Sequence, residues 1–370
     1  MKDATKYVGL DVSKEKIAVA LADEGRGAPR YWGVVLNTPE AVRTLFKKLG
    51  DSSQLKVCYE AGPTGYWLYR LLVSMDIECV VVAPSLIPKR PGERVKTDRR
   101  DALRLAQLLR AGELTSVYVP TEEDEALRDL VRAREDAKED QLRARHRLTK
   151  FLMRNNITSP ENVRNWSAAH RKWLNRLEWS NAALRVVFQE YLHHLNEIEQ
   201  RLQRIEQEMH HQALYSPKAP IIQGLQSLRG VAEITAIGLV AEVCSFTRFK
   251  GARSMMSYTG LVPSEYSSGE RRRQGAITKA GNTHVRRLLV EAAWSYRYQP
   301  ALKGNLLKRQ EGLPPQVQAM AWKAQHRLHG KYSKLMAKGK PPGKVVSAVA
   351  RELAGFVWAI ANELEKETVS

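Results

Sequence analysis

The 370-residue sequence predicts an α/β domain joined to largely helical ones. Residues 1–118 are expected to form a mixed sheet with helices on its faces, residues 119–215 a helical coiled-coil arm, and residues 216–370 a mostly α-helical domain. Three observations carry this reading. Short β-prone apolar runs alternate with helix signals as far as Arg110. Glycine is then absent between Gly112 and Gly224, and Pro160 is the only proline between Pro120 and Pro217, so long helices can run uninterrupted. Glycine, proline and clustered basic residues return beyond Ile221.

The chain is organised around Tyr7–Asp11, an apolar β-prone run ending in a carboxylate. Val12–Lys16 is polar and turn-like, and Ile17–Leu21 is apolar again. That pattern predicts a hairpin whose first strand carries Asp11 near the centre of a sheet. A lone acid there is costly to bury unless a basic side chain or a metal ion neutralises it. Arg30–Leu36 reads as a third strand. Thr38 and Pro39 then mark a helix through Leu49, as cap and first helical residue. Leu55–Glu60 is a fourth strand, again ending in an acid, and Ala61–Gly65 turns into a helix over Tyr66–Met75. A fifth strand, Ile77–Val82, precedes a basic loop over Lys89–Arg100 and a helix over Ala102–Arg110. Three meandering strands followed by two crossover strands give the order of a ribonuclease-H-like mixed sheet.

In the arm, Leu184, Phe188, Tyr191, Leu195, Ile198, Leu202, Ile205 and Met209 recur at alternating steps of four and three, a heptad seam. The preceding helix, Asp124–Arg154, has a broken seam that passes from Leu127 and Val131 through Arg134, Lys138, Gln141 and Arg145 before regaining Leu148 and Leu152. The two helices are expected either to fold back on each other or to pair between subunits. Beyond them, Leu225–Ala236 resembles a helix-hairpin-helix, which presents backbone amides to a phosphate, but Ala232 replaces its second glycine, so the site is degenerate and plain packing is the alternative. Ala301–Lys344 carries ten Lys or Arg against one acid, and an apolar helix over Val345–Leu364 ends the fold.

A formal net charge of +19 favours a polyanionic partner, most plausibly nucleic acid. No run approaches the ~20 consecutive apolar residues of a membrane span, and Met1–Lys6 lacks an apolar signal core, so a cytosolic protein is expected. Cys58, Cys79 and Cys244 sit singly in apolar runs and read as reduced core residues.

Four carboxylates stand out: Asp11 and Glu60 at strand ends, and Asp98 and Asp101 three apart at a helix start. If the first and fourth strands are parallel neighbours, these acids meet at the carboxyl ends of the strands. Four acids so close cannot all ionise without bound cations. Oxygen-only ligands select a hard ion, Mg²⁺ or Mn²⁺, and two such ions can clamp a scissile phosphate. Singly the acids have plainer readings, Asp101 as an ion-pair partner of Arg100 or Arg104 and Asp98 as a helix cap.

Three N-terminal strings, YVGLDVSKEKIAVAL (7–21), CYEAGPTGYW (58–67) and VKTDRRDALRLAQLL (95–109), resemble the DEDD, RuvC-like domain of the IS110/IS1111 insertion-sequence transposases, relatives of the Piv-type invertases. SYTGLVPSEYSSGERRRQGAITKAGNTHVRRLLVEAAW (257–294) and VARELAGFVWAI (349–360) are similar to the same family's C-terminal transposase domain. The resemblance implies that Asp11, Glu60, Asp98 and Asp101 form the acidic set. It implies that Ser268, aligned through Gly269 in preference to its neighbour Ser267, attacks the DNA phosphodiester in a composite site. It further implies donor and target DNA, a structured noncoding guide RNA made by the element, and a homodimer that assembles to a tetramer. Arg271, Arg272 and Arg273 would hold phosphates or developing charge, and Lys279, Arg286 and Arg287 would contact the nucleic-acid backbone. The Arg134–Arg145 face and Ala301–Lys344 are the first places to look for RNA contacts. The rival expectations are a site-specific invertase, a junction endonuclease using only the acids, and a non-catalytic nucleic-acid scaffold.

Overall fold

The computed structural model describes residues 5–88, 97–266 and 273–369, with side chains to residue 366. By its contacts the chain forms two compact units, Met1–Pro120 and Thr121–Ser370.

The first unit contains β1 (Lys6–Val12), β2 (Lys16–Asp23), β3 (Arg30–Leu36), α1 (Pro39–Leu49), β4 (Leu55–Glu60), α2 (Trp67–Val73), β5 (Glu78–Val82) and α3 (Asp98–Ala111). Its sheet has the order β3-β2-β1-β4-β5, with β1 antiparallel to β2 and parallel to β4. Thr38 caps α1 by accepting from Ala41 N at 3.3 Å, with Pro39 as the first helical residue. Thr97, not Asp98, caps α3, accepting from Arg100 N at 3.3 Å.

The two faces of the sheet differ in side-chain size, and this places α3. On one face Val8, Leu10, Ile17, Val19 and Leu21 pack against Leu45 and Phe46 of α1 and Leu68 and Leu72 of α2. On the other, Ala18, Ala20 and Ala22 meet Ala102 and Ala106 of α3. At Gly9 the helix backbone lies directly on the strand: a Cβ there would overlap the Ala102 carbonyl oxygen and the Ala106 nitrogen. Both atoms belong to helix backbone and cannot swing aside. Gly9→Ala is therefore expected to destabilise the first unit by about 3 kcal/mol or more, read as a lowered denaturation midpoint, because overpacking against backbone leaves no rotamer escape.

The second unit contains α4 (Glu122–Arg154), α5 (Ala168–Leu174), α6 (Ala182–Tyr215), α7 (Ala219–Leu225), α8 (Glu233–Val243), α9 (Ala252–Tyr258), β6 (Pro263–Glu265), β7 (Gln274–Ile277), α10 (Thr283–Ala293), α11 (Asn305–Lys308), α12 (Pro315–Ala337) and α13 (Pro342–Val369). α4 and α6 fold back on each other within the chain. Arg134 meets Glu206 at 2.7 Å, Asp140 meets Arg201 at 3.4 Å, and Arg145 meets Glu199 at 3.2 Å, so the partners run in opposite directions. The seam residues Phe188, Leu195, Ile198, Leu202 and Met209 are buried. The polar break in the α4 seam is thus filled by cross-helix ion pairs. Glu199 also takes Gln141 Nε2 and Arg171 of α5. Burial, helped by Arg134 and Arg145, holds the Lys138 ammonium below its usual pKa. Arg134 and Arg145 are therefore engaged inside the arm.

Three further features bear on the sequence reading. The Leu225–Ala236 turn is a packing joint, because a Cβ on Gly230 would strike the Ala292 carbonyl oxygen. The N-terminus of α8 has Glu233 in its first turn, which opposes an incoming anion. Much of the basic stretch after Ala301 is the helix α12, which buries Val317, Ala321, Ala324 and Leu328. Finally, α13 is long and apolar enough to cross a membrane by length and composition. Here it is the core helix of the unit, burying Val345, Val349, Leu353, Val357 and Ile360 beside α7, α9, α10 and α12.

Candidate active site

Asp11 and Glu60 come together through strand register. The parallel β1/β4 ladder pairs Gly9 with Cys58 and Leu10 with Tyr59, and the two acids are the next residue on each strand. Both project to the α3 side. Asp11 lies opposite Ala18, which belongs to the alanine face under α3. Glu60 follows by two the thiol of Cys58, which reaches Leu105 O of α3 at 3.5 Å, and residues two apart share a face.

The direction of α3 brings its own acids to the same end of the sheet. Ala102 and Ala106 sit at the level of Gly9, and Arg110, near the C-terminus of the helix, donates to Asp23 O at 2.9 Å, beside Lys6 at the start of β1. The helix therefore runs antiparallel to β1, and its first turn, with Asp98 and Asp101, lies toward the Asp11 end. Asp11, Glu60 and Asp101 are half-buried and Asp98 is exposed. Arg99, between the helix acids, stacks over Tyr31 of β3 at 5.1 Å.

Two of the four acids stand at strand ends and two on the first turn of α3. Among the described residues no three His, Cys, Asp or Glu side chains are grouped so as to hold a metal ion. By donor chemistry the set fits a hard divalent cation, since every ligand offered is a carboxylate oxygen. Cysteine chemistry is disfavoured, because burial raises the thiol pKa of Cys58 and Cys244 and pushes that of Cys79 up to about 12.

The second unit carries the other expected groups. Ser268, Arg271 and Arg272, with the neighbouring Ser267, lie outside the described residues. β6 and β7 pair antiparallel on either side of them, and Tyr266 N donates to Arg273 O at 2.9 Å. Arg273 and Lys279 are exposed. Arg286 is engaged in the fold, donating to Thr259 O at 3.0 Å, and Arg287 pairs with Glu135 of α4 and with Glu291. Neither arginine is an uncommitted phosphate ligand.

Sequence reasoning missed Glu242, which is only 1% exposed on α8. It accepts from Arg132 Nε at 3.0 Å and from Asn282 Nδ2 at 2.7 Å. Its signal was legible, since it is a single carboxylate in the otherwise apolar run Ile237–Val243. Burial works to raise its pKa, but the hydrogen bonds from Arg132 and Asn282, with the charges of Arg132 and His284, bring it below the ordinary value of 4.5. A carboxylate depressed in the folded state adds stability that is complete above its ordinary pKa and is lost as pH falls through its folded value. The stability difference between the wild type and Glu242→Gln is therefore expected to be constant near neutrality and to shrink below pH 4.5, as read by denaturant titration at stepped pH.

Two family models match the chain, and the first extends beyond the first unit to the end of α4. A DEDD-type IS110 family model, described as a transposase, matches residues 8–156. A second model, described as the transposase IS116/IS110/IS902 family, matches residues 222–304. A chain of Sinorhizobium fredii named as a transposase, y4qE, is 45% identical over 98% of this chain and 90% of its own length. The transposase of insertion sequence element IS1533 from Leptospira borgpetersenii is 33% identical over 90% of this chain and 97% of its own. The transposase of insertion sequence element IS1111A from Coxiella burnetii is 25% identical over 79% of this chain and 78% of its own. With both families of acid placed at one end of the sheet and these relatives covering nearly the whole length, the chain belongs to the IS110/IS116 family of transposases, enzymes that cleave and rejoin DNA.

Proposed function

We propose that this transposase is an RNA-guided DNA recombinase that excises and inserts its own insertion-sequence element through a phosphoserine intermediate. The supporting observation is that Asp11 and Glu60 each follow the last paired residue of the adjacent parallel strands β1 and β4, with the first turn of α3 toward the same end. Ser268 Oγ attacks the scissile phosphorus, a P–O bond to the departing strand breaks, and that strand leaves as a hydroxyl carrying a proton. The hydroxyl of the exchanged strand reverses the step and frees the serine. Each cut retains its bond energy in the phosphoserine ester, which suits strand exchange better than hydrolysis does. Mg²⁺ or Mn²⁺ held by Asp11, Glu60, Asp98 and Asp101 would activate the attacking oxygen and stabilise the leaving one. A serine hydroxyl needs such activation at neutral pH. Arg271, Arg272 and Arg273 follow the serine in sequence and hold the phosphate oxygens.

Sequence choice is assigned to base pairing with a noncoding RNA from the element. The net charge of +19 suits a protein that grips nucleic-acid backbones. The working assembly is a dimer of dimers. The test is to purify the protein from cells carrying the whole element and sequence the nucleic acid that comes with it. RNA mapping to the noncoding flank, required for strand exchange in vitro, is expected. Strand exchange by RNA-free protein on DNA alone contradicts the guided reading and favours an invertase-like enzyme.

A further inference from the structure

Tyr258 and Asn282 bracket the segment that contains β6, β7 and, by sequence, Ser268. Both ends of that segment are fastened to each other. Asn282 N donates to Tyr258 O at 3.1 Å, Lys279 N to Gly260 O at 3.1 Å, and Thr278 N to Val262 O at 2.9 Å. Gly260 and Gly281 both have left-handed backbones, at φ +66° and +98°. Each is pressed against the opposite end: a Cβ on Gly260 would strike Ala280 O, and one on Gly281 would strike Tyr258 O.

Both ends are also fastened to one buried residue. Glu242 Oε2 accepts from Asn282 Nδ2 at 2.7 Å, and the Glu242 carbonyl accepts from the Tyr258 hydroxyl at 3.1 Å. Asn282 Nδ2 lies 3.3 Å from the same hydroxyl oxygen. Asn282 Oδ1 meanwhile caps α10, accepting from Val285 N at 2.9 Å. Arg132 of α4 forks onto the carboxylate from outside, at 3.0 and 3.3 Å. A two-stranded hairpin needs only a turn and cross-strand pairs. An ion pair under its base costs desolvation that an apolar side chain would not, and fixing one geometry is the gain that such a pair offers.

We infer that Glu242 and Asn282 are positioning residues that fix the base of the β6–β7 hairpin so that serine attack proceeds from one orientation. The inference rests on the reading of Ser268 as nucleophile. Positioning of this kind is worth about 100-fold in rate for an ångström of misplacement.

Asn282→Asp tests it selectively. The variant keeps the oxygen that caps α10, removes the amide donor, and sets a second carboxylate against Glu242. Single-turnover strand cleavage at saturating DNA is expected to fall by about 100-fold, with DNA affinity unchanged and amide exchange accelerated only at the hairpin base. Combining Glu242→Gln with Asn282→Asp swaps amide and carboxylate across the same contact, and cleavage is expected to recover by at least about tenfold over Asn282→Asp alone. Wild-type cleavage in Asn282→Asp overturns the inference. So does a loss that the swap fails to rescue, or one matched by an equal loss of DNA affinity. Ser268→Ala is assayed alongside: if that variant still cuts, the nucleophile reading fails, whereas an inactive Ser268→Ala beside a fully active Asn282→Asp sinks the positioning role alone.

Discussion

Ser268→Ala is expected to stop strand exchange and to abolish any covalent protein–DNA link, while the chain still folds and binds DNA. In the proposed mechanism the hydroxyl takes the phosphoryl group, so nothing that binds or orients the DNA would replace it. Removing an attacking group of this kind lowers turnover by about 10³-fold at the least. Ser267→Ala is the matched control, since it removes an adjacent hydroxyl and leaves the attacking one. Binding measured at a fixed salt concentration should be unchanged, because affinity for the DNA backbone comes from the basic side chains. The assay is strand exchange between labelled donor and target junctions. Continued cutting in Ser268→Ala, with water as the attacking group, would identify an enzyme that works by its acids alone.

Asp11→Asn carries the second large effect. Asparagine keeps the shape of a half-buried residue at the end of β1 and removes one negative charge beside Glu60. The fold should tolerate this, since the amide matches the carboxylate in size and keeps an oxygen acceptor. Cleavage should not, because a divalent cation contributes several kcal/mol to charge stabilisation at the phosphate, or about 10³-fold in rate. The expected result is a metal-dependent rate about 10³-fold below wild type at saturating Mg²⁺, with the protein still folded by circular dichroism. A scaffold that only binds nucleic acid would show no change in any DNA-processing assay.

Both predictions rest on residues whose placement was unevenly legible. The neighbouring acids on β1 and β4 follow from the order of strand signals alone, because crossover rules leave few sheets in which those strands are not adjacent. The close approach of α3 did not follow. It depends on Gly9 and on the alanines at 18, 20 and 22, whose small size looks featureless until a helix backbone lies across them. The heptads of α6 marked a helix partner and left open whether it was α4 or a second subunit; the structure pairs α6 with α4, where Arg134 and Arg145 meet Glu206 and Glu199, 72 and 54 residues away. α12 was obscured by its basic residues, although it packs through Val317, Ala321, Ala324 and Leu328 and Lys331 turns onto Glu352 of α13. Glu242 was overlooked although the reasoning applied to Asp11 applied equally to it. One buried acid in an apolar run implies a partner, and here the partners come from α4 and from the start of α10.

The central claim is that a serine of the second unit and the carboxylates of the first act on one phosphate. Protein purified with its RNA, mixed with Mg²⁺ and junction DNA and then proteolysed, can be searched by mass spectrometry for the peptide bearing a nucleotide. The account predicts a phosphodiester on Ser268 in the wild type and none in Asp11→Asn. A nucleotide on any other side chain, or an equal yield on Ser268 without the Asp11 carboxylate, would contradict it.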